Sequence, residues 1–390
     1  MKIKNQILKL MLTVVLAFSI FSCTNEGNND EIVKLPTSND IINADLANYS
    51  VLRKSLEVSG LLNVITGTGA YTIFAPDNAA FAAYNTTNFS TGINEVVLKT
   101  ISDAIAASPA IPLTTVQQAQ LNELKRTLMY HVLSGAFFGS DLPSKNYIKT
   151  FAPYLVSNSI TLSAYVDKTS GVVINGGNTS GNIGAVVTTA DIKTSNGVIH
   201  KINSVMKLPT LISQLACNND LSLFLTNLNA DATAKAFVTA PASNTQLFIP
   251  LNDAFTNTAG TAYLTGKTPS QIAEIIKYHI TTGSTYSRNA SVGIETNRFQ
   301  NDGAQTATSY LPSTAITNAT VATKTAAILP ATGFQNFFIQ KNSLNIIEII
   351  PPVAPATNPT ETVVGKIKTT NIHTLNGIIH LIDTVQKPVL

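Results

Sequence analysis

Apolar residues recur at helical spacing through Tyr49–Thr66, where Leu52, Leu56, Leu61, Leu62 and Ile65 fall between Arg53, Lys54 and Glu57. Gly60 breaks that stripe, and Gly67 and Gly69 end it. Tyr71–Ala75 reads as a short strand. Pro76-Asp77-Asn78 reads as a turn whose side chains can cap the helix opening at Ala79. Asn85–Ile111 is polar and poorly periodic apart from a helical stretch at Ile93–Ala107, and reads as an insertion. Leu113–Leu133 predicts one long helix with Leu121, Leu124, Leu128 and His131 along one face, stopped by Gly135. From Tyr147 to Lys207 a series of β-prone runs is separated by Gly, Asn, Ser and Asp clusters.

The same order then recurs. Leu211–Leu228 is helical, Gln246–Pro250 is strand-like, Leu251–Asn257 starts a helix, Thr268–Thr281 is a second long helix, and Val363–Lys387 is a strand pair. Three blocks align between the halves. The first carries Pro76, Asn78 and Phe81 against Pro250, Asn252 and Phe255. The second is Tyr130-His131 against Tyr278-His279. The third is Asn196-Gly197-Val198-Ile199-His200 against Asn376-Gly377-Ile378-Ile379-His380. The separation shortens from the first block to the second and lengthens again to the third. Insertions therefore differ between the copies, and repeat two carries a Pro/Thr/Asn-rich stretch, 284–361, that reads as long loops. Asn-Gly fits a tight turn, because both residues tolerate positive φ. The chain has 5 histidines, and His373 alone lies outside these blocks. It aligns with Lys193 and reads as a strand-surface residue.

The N-terminus changes the setting. Lys2, Lys4 and Lys9 precede a short apolar run, Leu10–Phe21, below the roughly 18–20 residues needed to span a bilayer. The run ends at Ser22-Cys23 and resembles a bacterial lipoprotein signal, which implies lipidation of Cys23 and removal of 1–22. Residues 23–36 read as a polar tether, and Glu26, Asp30 and Glu31 resemble the surface-export signal of Bacteroidota lipoproteins. Losing those three lysines leaves the 25 basic residues level with the 22 acidic ones, so no basic balance points to nucleic acid or anionic lipid. Charged residues are only 12% of the chain, which suits an extracellular module. Cys217, the other of 2 cysteines, reads as a buried small hydrophobe, and no Cys/His spacing resembles a metal site.

The three ordered blocks, found twice, resemble the fasciclin (FAS1) family. The resemblance covers 37–207 and 208–390. It implies an α+β fold of two tandem fasciclin-like domains, each a bent β-sheet wedge with helices packed along one side. It further implies extracellular adhesion or matrix and protein binding without catalysis; the N-terminal signal adds the expectation of a lipid anchor, in the outer membrane, and no cofactor or metal is expected. Tyr130, His131, Tyr278 and His279 are the candidate adhesion motif. The alternative for them is a core role, with the imidazole bonded to backbone. Leu251 departs from the pattern, standing where repeat one has Asp77. No nucleophile elbow is present, and Glu274, near His279, has no counterpart in repeat one. A second functional reading is a surface glycan-binding accessory protein of a polysaccharide-uptake system, using Tyr286, Phe299, Tyr310, Phe334, Phe337 and Phe338.

Overall fold

A computed structural model describes residues 34–281, 319–323, 335–341, 347–350 and 365–386, apart from 68, 109, 155–159, 178–182 and 241–244. The signal, Cys23 and most of the tether lie outside the described residues. The described residues from Pro36 onward form one compact unit.

Repeat one opens with α1 (Ser38–Ala44), α2 (Leu46–Val58) and α3 (Leu62–Ile65). Thr37 starts α1 with a capping box closed by Asp40. Strand β1 (Tyr71–Pro76) follows, then α4 (Asn78–Ala82), α5 (Glu95–Ala107) and α6 (Thr115–Tyr130). The strands β2 (Val132–Ser134), β3 (Asn146–Pro153), β4 (Thr161–Asp167), β5 (Val173–Ile174), β6 (Ala185–Thr194) and β7 (Gly197–Ile202) complete it. They form one sheet in the order β2-β1-β7-β6-β5-β4-β3. The long helix is shorter than the apolar spacing suggests. It stops at Tyr130, His131 is its C-cap, and Gly135 follows β2 instead of ending the helix. The stretch Asn85–Ile111 is more than an insertion on the surface, because Leu98 and Ile101 of α5 are completely buried.

Repeat two carries α7 (Leu211–Ala216), a 3-10 turn (Asn219–Leu221), α8 (Ser222–Ala230), α9 (Ala232–Thr239) and β8 (Thr245–Pro250). Next come α10 (Asn252–Thr256), α11 (Thr258–Leu264), α12 (Pro269–Tyr278) and β9 (Ile280–Thr281). The strands β10 (Ala319–Thr323), β11 (Gln335–Lys341), β12 (Ile347–Ile350), β13 (Gly365–Thr374) and β14 (Gly377–Ile382) follow. The stretch 284–361 is thus not loop alone: it supplies β10, β11 and β12, the counterparts of β3, β4 and β5. The order β10-β11-β12-β13-β14-β8-β9 closes on itself where Thr323 meets Thr281, which leaves no open sheet edge.

The two copies agree in register. Tyr71 to Pro76 pair in parallel with Gly197 to Ile202, as Thr245 to Pro250 do with Gly377 to Ile382. The β6–β7 hairpin is bulged between Thr189 and Ile192, and β13–β14 between Thr369 and Ile372. Inside those bulges Asp191 and Asn371 both take a positive φ, 63° and 55°. Asp and Asn are the non-glycine residues that accept it most readily.

Each repeat packs its helices on one face of the sheet. In repeat one Leu52, Leu56, Ile65, Phe81, Leu124 and Leu128 cover Ile73, Ala75 and Ile199. The opposite face has its own core, in which Phe74 and Ile202 meet Tyr130, Leu133, Leu162 and Ala164. In repeat two Leu215, Phe224, Leu228, Ile275 and Ile276 cover Leu247, Ile249 and Ile379.

Candidate functional site

The asparagines and histidines of the repeated blocks bond main-chain groups of other elements. Asn78 begins α4, and its Oδ1 accepts the Val51 N–H at 3.0 Å while Nδ2 donates to the Ala47 carbonyl at 3.1 Å. Val51 is available because Tyr49 kinks α2 at φ −126°. Asn252 does the same for repeat two, accepting from Leu223 N–H at 3.0 Å and donating to Asn219 O at 2.9 Å. Asp77 caps α4 through the Ala80 N–H at 2.8 Å, whereas Leu251 makes no side-chain cap. Pro76 and Pro250 end the two parallel strands, and Phe81 and Phe255 are buried behind them.

Asn196 and Asn376 do more than turn the chain. Asn196 accepts from the Ser38 N–H at 2.9 Å and donates to the Ile65 carbonyl at 2.6 Å. Asn376 accepts from the Leu211 N–H at 2.9 Å and donates to Val238 O at 2.9 Å. Each hairpin tip therefore holds the first helix of its repeat. The glycines that follow let main chains approach: a Cβ on Gly197 would lie 1.8 Å from Tyr71 O, and one on Gly377 2.3 Å from Thr245 O. Gly197 also has φ +143°, which favours glycine.

The histidines of the two motifs use opposite ring nitrogens. His131 Nδ1 donates to the Thr127 carbonyl at 2.7 Å, and its Nε2 accepts the Met206 N–H at 2.9 Å. His279 Nδ1 donates to Ile275 O at 2.7 Å, and Nε2 accepts from Gln386 N–H at 2.9 Å. Each ring staples the end of a long helix to the segment leaving the last strand. Both rings are buried, and burial lowers both pKa values to about 4, against the raising effect of the carbonyl bond. His200 and His380 sit on the parallel strand and accept at Nδ1 from the bulge residues Asp191 and Asn371, at 3.2 and 3.3 Å. His200 Nε2 donates to Phe137 O at 2.9 Å. Their rings stack on Phe74 and Phe248, with centroids 5.5 and 4.8 Å apart. Burial, then Lys149, pushes His380 down to about 3.

Tyr130 completes a further network. Its hydroxyl donates to Ser163 O at 2.8 Å and accepts from Asn175 Nδ2 at 2.8 Å, and Asn175 Oδ1 accepts the Tyr165 N–H. Asn175 has φ 46° and is fully buried. Tyr130, His131, Tyr278 and His279 are all buried, at 2% exposure or less, so the candidate adhesion motif is not presented at the surface. Removing the Tyr130 hydroxyl strands the Asn175 amide and the Ser163 carbonyl. Tyr130→Phe is expected to cost about 2 kcal/mol, read as a lower urea midpoint.

That network ends where the repeats meet. Cys217 Sγ donates to Asn175 O at 3.0 Å, and Asn218 Nδ2 to Tyr147 Oη at 3.2 Å. His373 is here as well. It is fully buried against repeat one, not on a strand surface, because β4 covers that side of β13. An alignment of one repeat on the other gives no sign of this contact between them.

A groove of about 820 Å³ lies at the surface between α2 and α5. Arg53, Lys54, Lys99 and Asp103 line it, with Leu46 and Val96 at 46% and 76% exposure. Its ion pairs stay within each helix, Arg53–Glu57 on α2 and Lys99–Asp103 on α5. Among the described residues no helix is long and apolar enough to cross a membrane, and no cluster of His, Cys, Asp and Glu is arranged to hold a metal. Of the aromatics considered for glycan contact, Tyr286, Phe299, Tyr310 and Phe334 lie outside the described residues, and Phe337 and Phe338 lie on β11.

Residues 47–209 match the model of the Fasciclin domain. An uncharacterized protein, sll1735, of Synechocystis sp. is 25% identical over 158 residues, spanning 40% of this chain and 88% of that protein. A solved FAS1 domain pair from the insect cell adhesion molecule Fasciclin I is similar at 16% identity and a TM-score of 0.44, covering 87% of this chain and 97% of that one. The family match lies in the part of the chain that carries the first copy of the three blocks.

Proposed function

We propose that the protein is a non-enzymatic adhesion module, held on the outer membrane through a lipid on Cys23, that binds an extracellular protein or matrix partner. The observation that supports it most is the fasciclin match over residues 47–209, a family with adhesion-related members. The motif residues fit that reading because they build a scaffold. Tyr130, His131, His200, Tyr278, His279 and His380 are buried in the cores, which leaves recognition to exposed faces and loops.

Two arms test it. Cells carrying the gene and cells lacking it are compared for attachment to surfaces coated with extracellular protein, and carriers are expected to attach better. Equal attachment overturns the adhesion reading. Cys23→Ser is expected to move the protein from the membrane fraction to the soluble fraction. Retention of the variant in the membrane overturns the anchor.

A further inference from the structure

Hydrogen bonds fix what lies at each end of β1. At its start, Tyr71 N–H donates to Asn196 O, Asn196 holds the Ile65 carbonyl, and Ser195 N–H donates to Pro36 O at 2.8 Å. The chain enters the fold at this end. At the finish of β1, Asn78 holds the start of α2, and Ser50 Oγ donates to Oε1 of Glu95, which opens α5, at 2.8 Å. Helices α2 and α5 then line one groove from Ser50 and Glu95 to Glu57 and Asp103, so they run the same way. Helix α6 runs back, because His131 at its end bonds Met206, past the finish of β7. The α5–α6 connection therefore lies at the end where the chain enters.

That connection presents apolar side chains to solvent. Ile111 and Val116 are 66% and 63% exposed, and Pro112 is exposed between them. No charged residue occurs from Ala104 to Asn122. Main-chain donors here are already used. The Ala110 and Ile111 N–H groups donate to Ala107 O at 3.0 and 2.9 Å, Pro112 has no N–H, and a capping box of Thr114 and Gln117 closes the start of α6. Such a turn loses little when water leaves it, because its polar groups keep their partners. Leu46 and Val96, exposed where α2 and α5 begin, lie instead beside Arg53, Glu95 and Lys99. The turn before α12 in repeat two carries Lys267.

We propose that Ile111, Pro112 and Val116 form a tip that seats in the bilayer holding the lipid anchor. The proposal rests on lipidation of Cys23. A chain from Cys23 to Pro36 spans at most about 45 Å, at roughly 3.5 Å for each residue, which keeps this end of the fold near the acyl chains. The tip brings no cation, so its seat does not depend on anionic lipid.

The test supplies the anchor itself, so that docking is read whether or not cells acylate Cys23. Residues 23–390 are coupled through Cys23 to a maleimide lipid in phosphatidylcholine vesicles, Cys217 being buried. The chain has no Trp, so Ile111→Trp and Leu46→Trp each report from one end. Brominated lipid is expected to quench Ile111→Trp at least about fivefold more strongly than Leu46→Trp. Adding Val116→Asp to Ile111→Trp is expected to remove most of that difference and to leave the urea midpoint unchanged. Equal quenching at the two ends overturns the proposal, as does quenching that survives Val116→Asp or needs anionic lipid. A blue shift of Ile111→Trp that grows with protein concentration in the absence of lipid makes a second copy the occupant, and also overturns it. If Ile111→Trp does not fold, Val116→Trp with and without Ile111→Asp takes its place. The mass of Cys23 in protein taken from cell membranes is measured separately. A missing acyl mass overturns the anchor, while the vesicle result still decides whether the tip takes lipid.

Discussion

Acidification from pH 6.5 to 4 is expected to cost this protein about 3 kcal/mol for each of His131 and His279. Each ring is neutral in the folded chain because burial lowers its pKa from 6.5 to about 4. The unfolded chain takes up the proton first, near pH 6.5. Between those values the unfolded state binds more protons, so stability is complete above 6.5 and declines as pH falls towards 4. At about 1.36 kcal/mol for each pH unit, the interval gives the stated figure per imidazole. His380, pushed to about 3, adds in the same direction. Urea midpoints across this range measure it. A flat profile would contradict neutral, buried rings. His131→Asn is expected to lower stability at neutral pH, because the Thr127 carbonyl or the Met206 N–H loses its partner, and also to flatten the acid slope. A surface role for His131 predicts neither.

Asp231→Ala is the substitution with the largest expected cost at neutral pH, about 3–5 kcal/mol. Lys277 is buried, at 2% exposure, with its Nζ 2.8 Å from Asp231 Oδ2 and 3.4 Å from Glu274 Oε1. Burial raises the Asp231 pKa, but Lys277 and the N–H groups of Ala234 and Thr233 outweigh it and hold the carboxyl below the usual range. The alanine variant leaves a buried ammonium short of a counter-charge and α9 without its cap. Met129 stands at the equivalent place in repeat one, next to Tyr130 as Lys277 is next to Tyr278. Adding Lys277→Met to Asp231→Ala is therefore expected to recover much of the loss. Chemical denaturation of both variants checks this. A single-variant cost below about 1 kcal/mol, or no recovery in the double variant, would show that the pair is not coupled.

The duplication was legible because it is written in residues with few substitutes. Asn78 and Asn252 each supply an acceptor and a donor of fixed geometry, and Gly197 and Gly377 leave room for a neighbouring carbonyl. The helices were legible from apolar spacing, although α6 stops at Tyr130 because the His131 ring bonds back to Thr127 O and the chain turns into β2. The strands within 284–361 were hidden. Ala319–Thr323 has no apolar alternation, and Pro and Asn surround it. Lys149 and His373 were hidden for another reason. Each looks like an exposed strand residue within its own repeat, and packing of one repeat on the other buries His373 while Lys149 stays exposed. Lys277 interrupts an apolar helix face, and its partner Asp231 lies far away in sequence, so periodicity alone does not predict the pair. The roles of Asn196 and Asn376 reach beyond their hairpins to helices that begin each repeat, a contact that turn propensity does not reveal.

The central claim is that one folded unit occurs twice, with the Tyr-His and Asn-Gly histidines doing equivalent work in each. Nitrogen-15 NMR of the imidazole rings at neutral pH tests it most directly. His131 and His279 are expected as the Nδ1–H tautomer, and His200 and His380 as the Nε2–H tautomer. Finding His131 and His279 in different tautomers, or either one titrating like a free side chain, would contradict it.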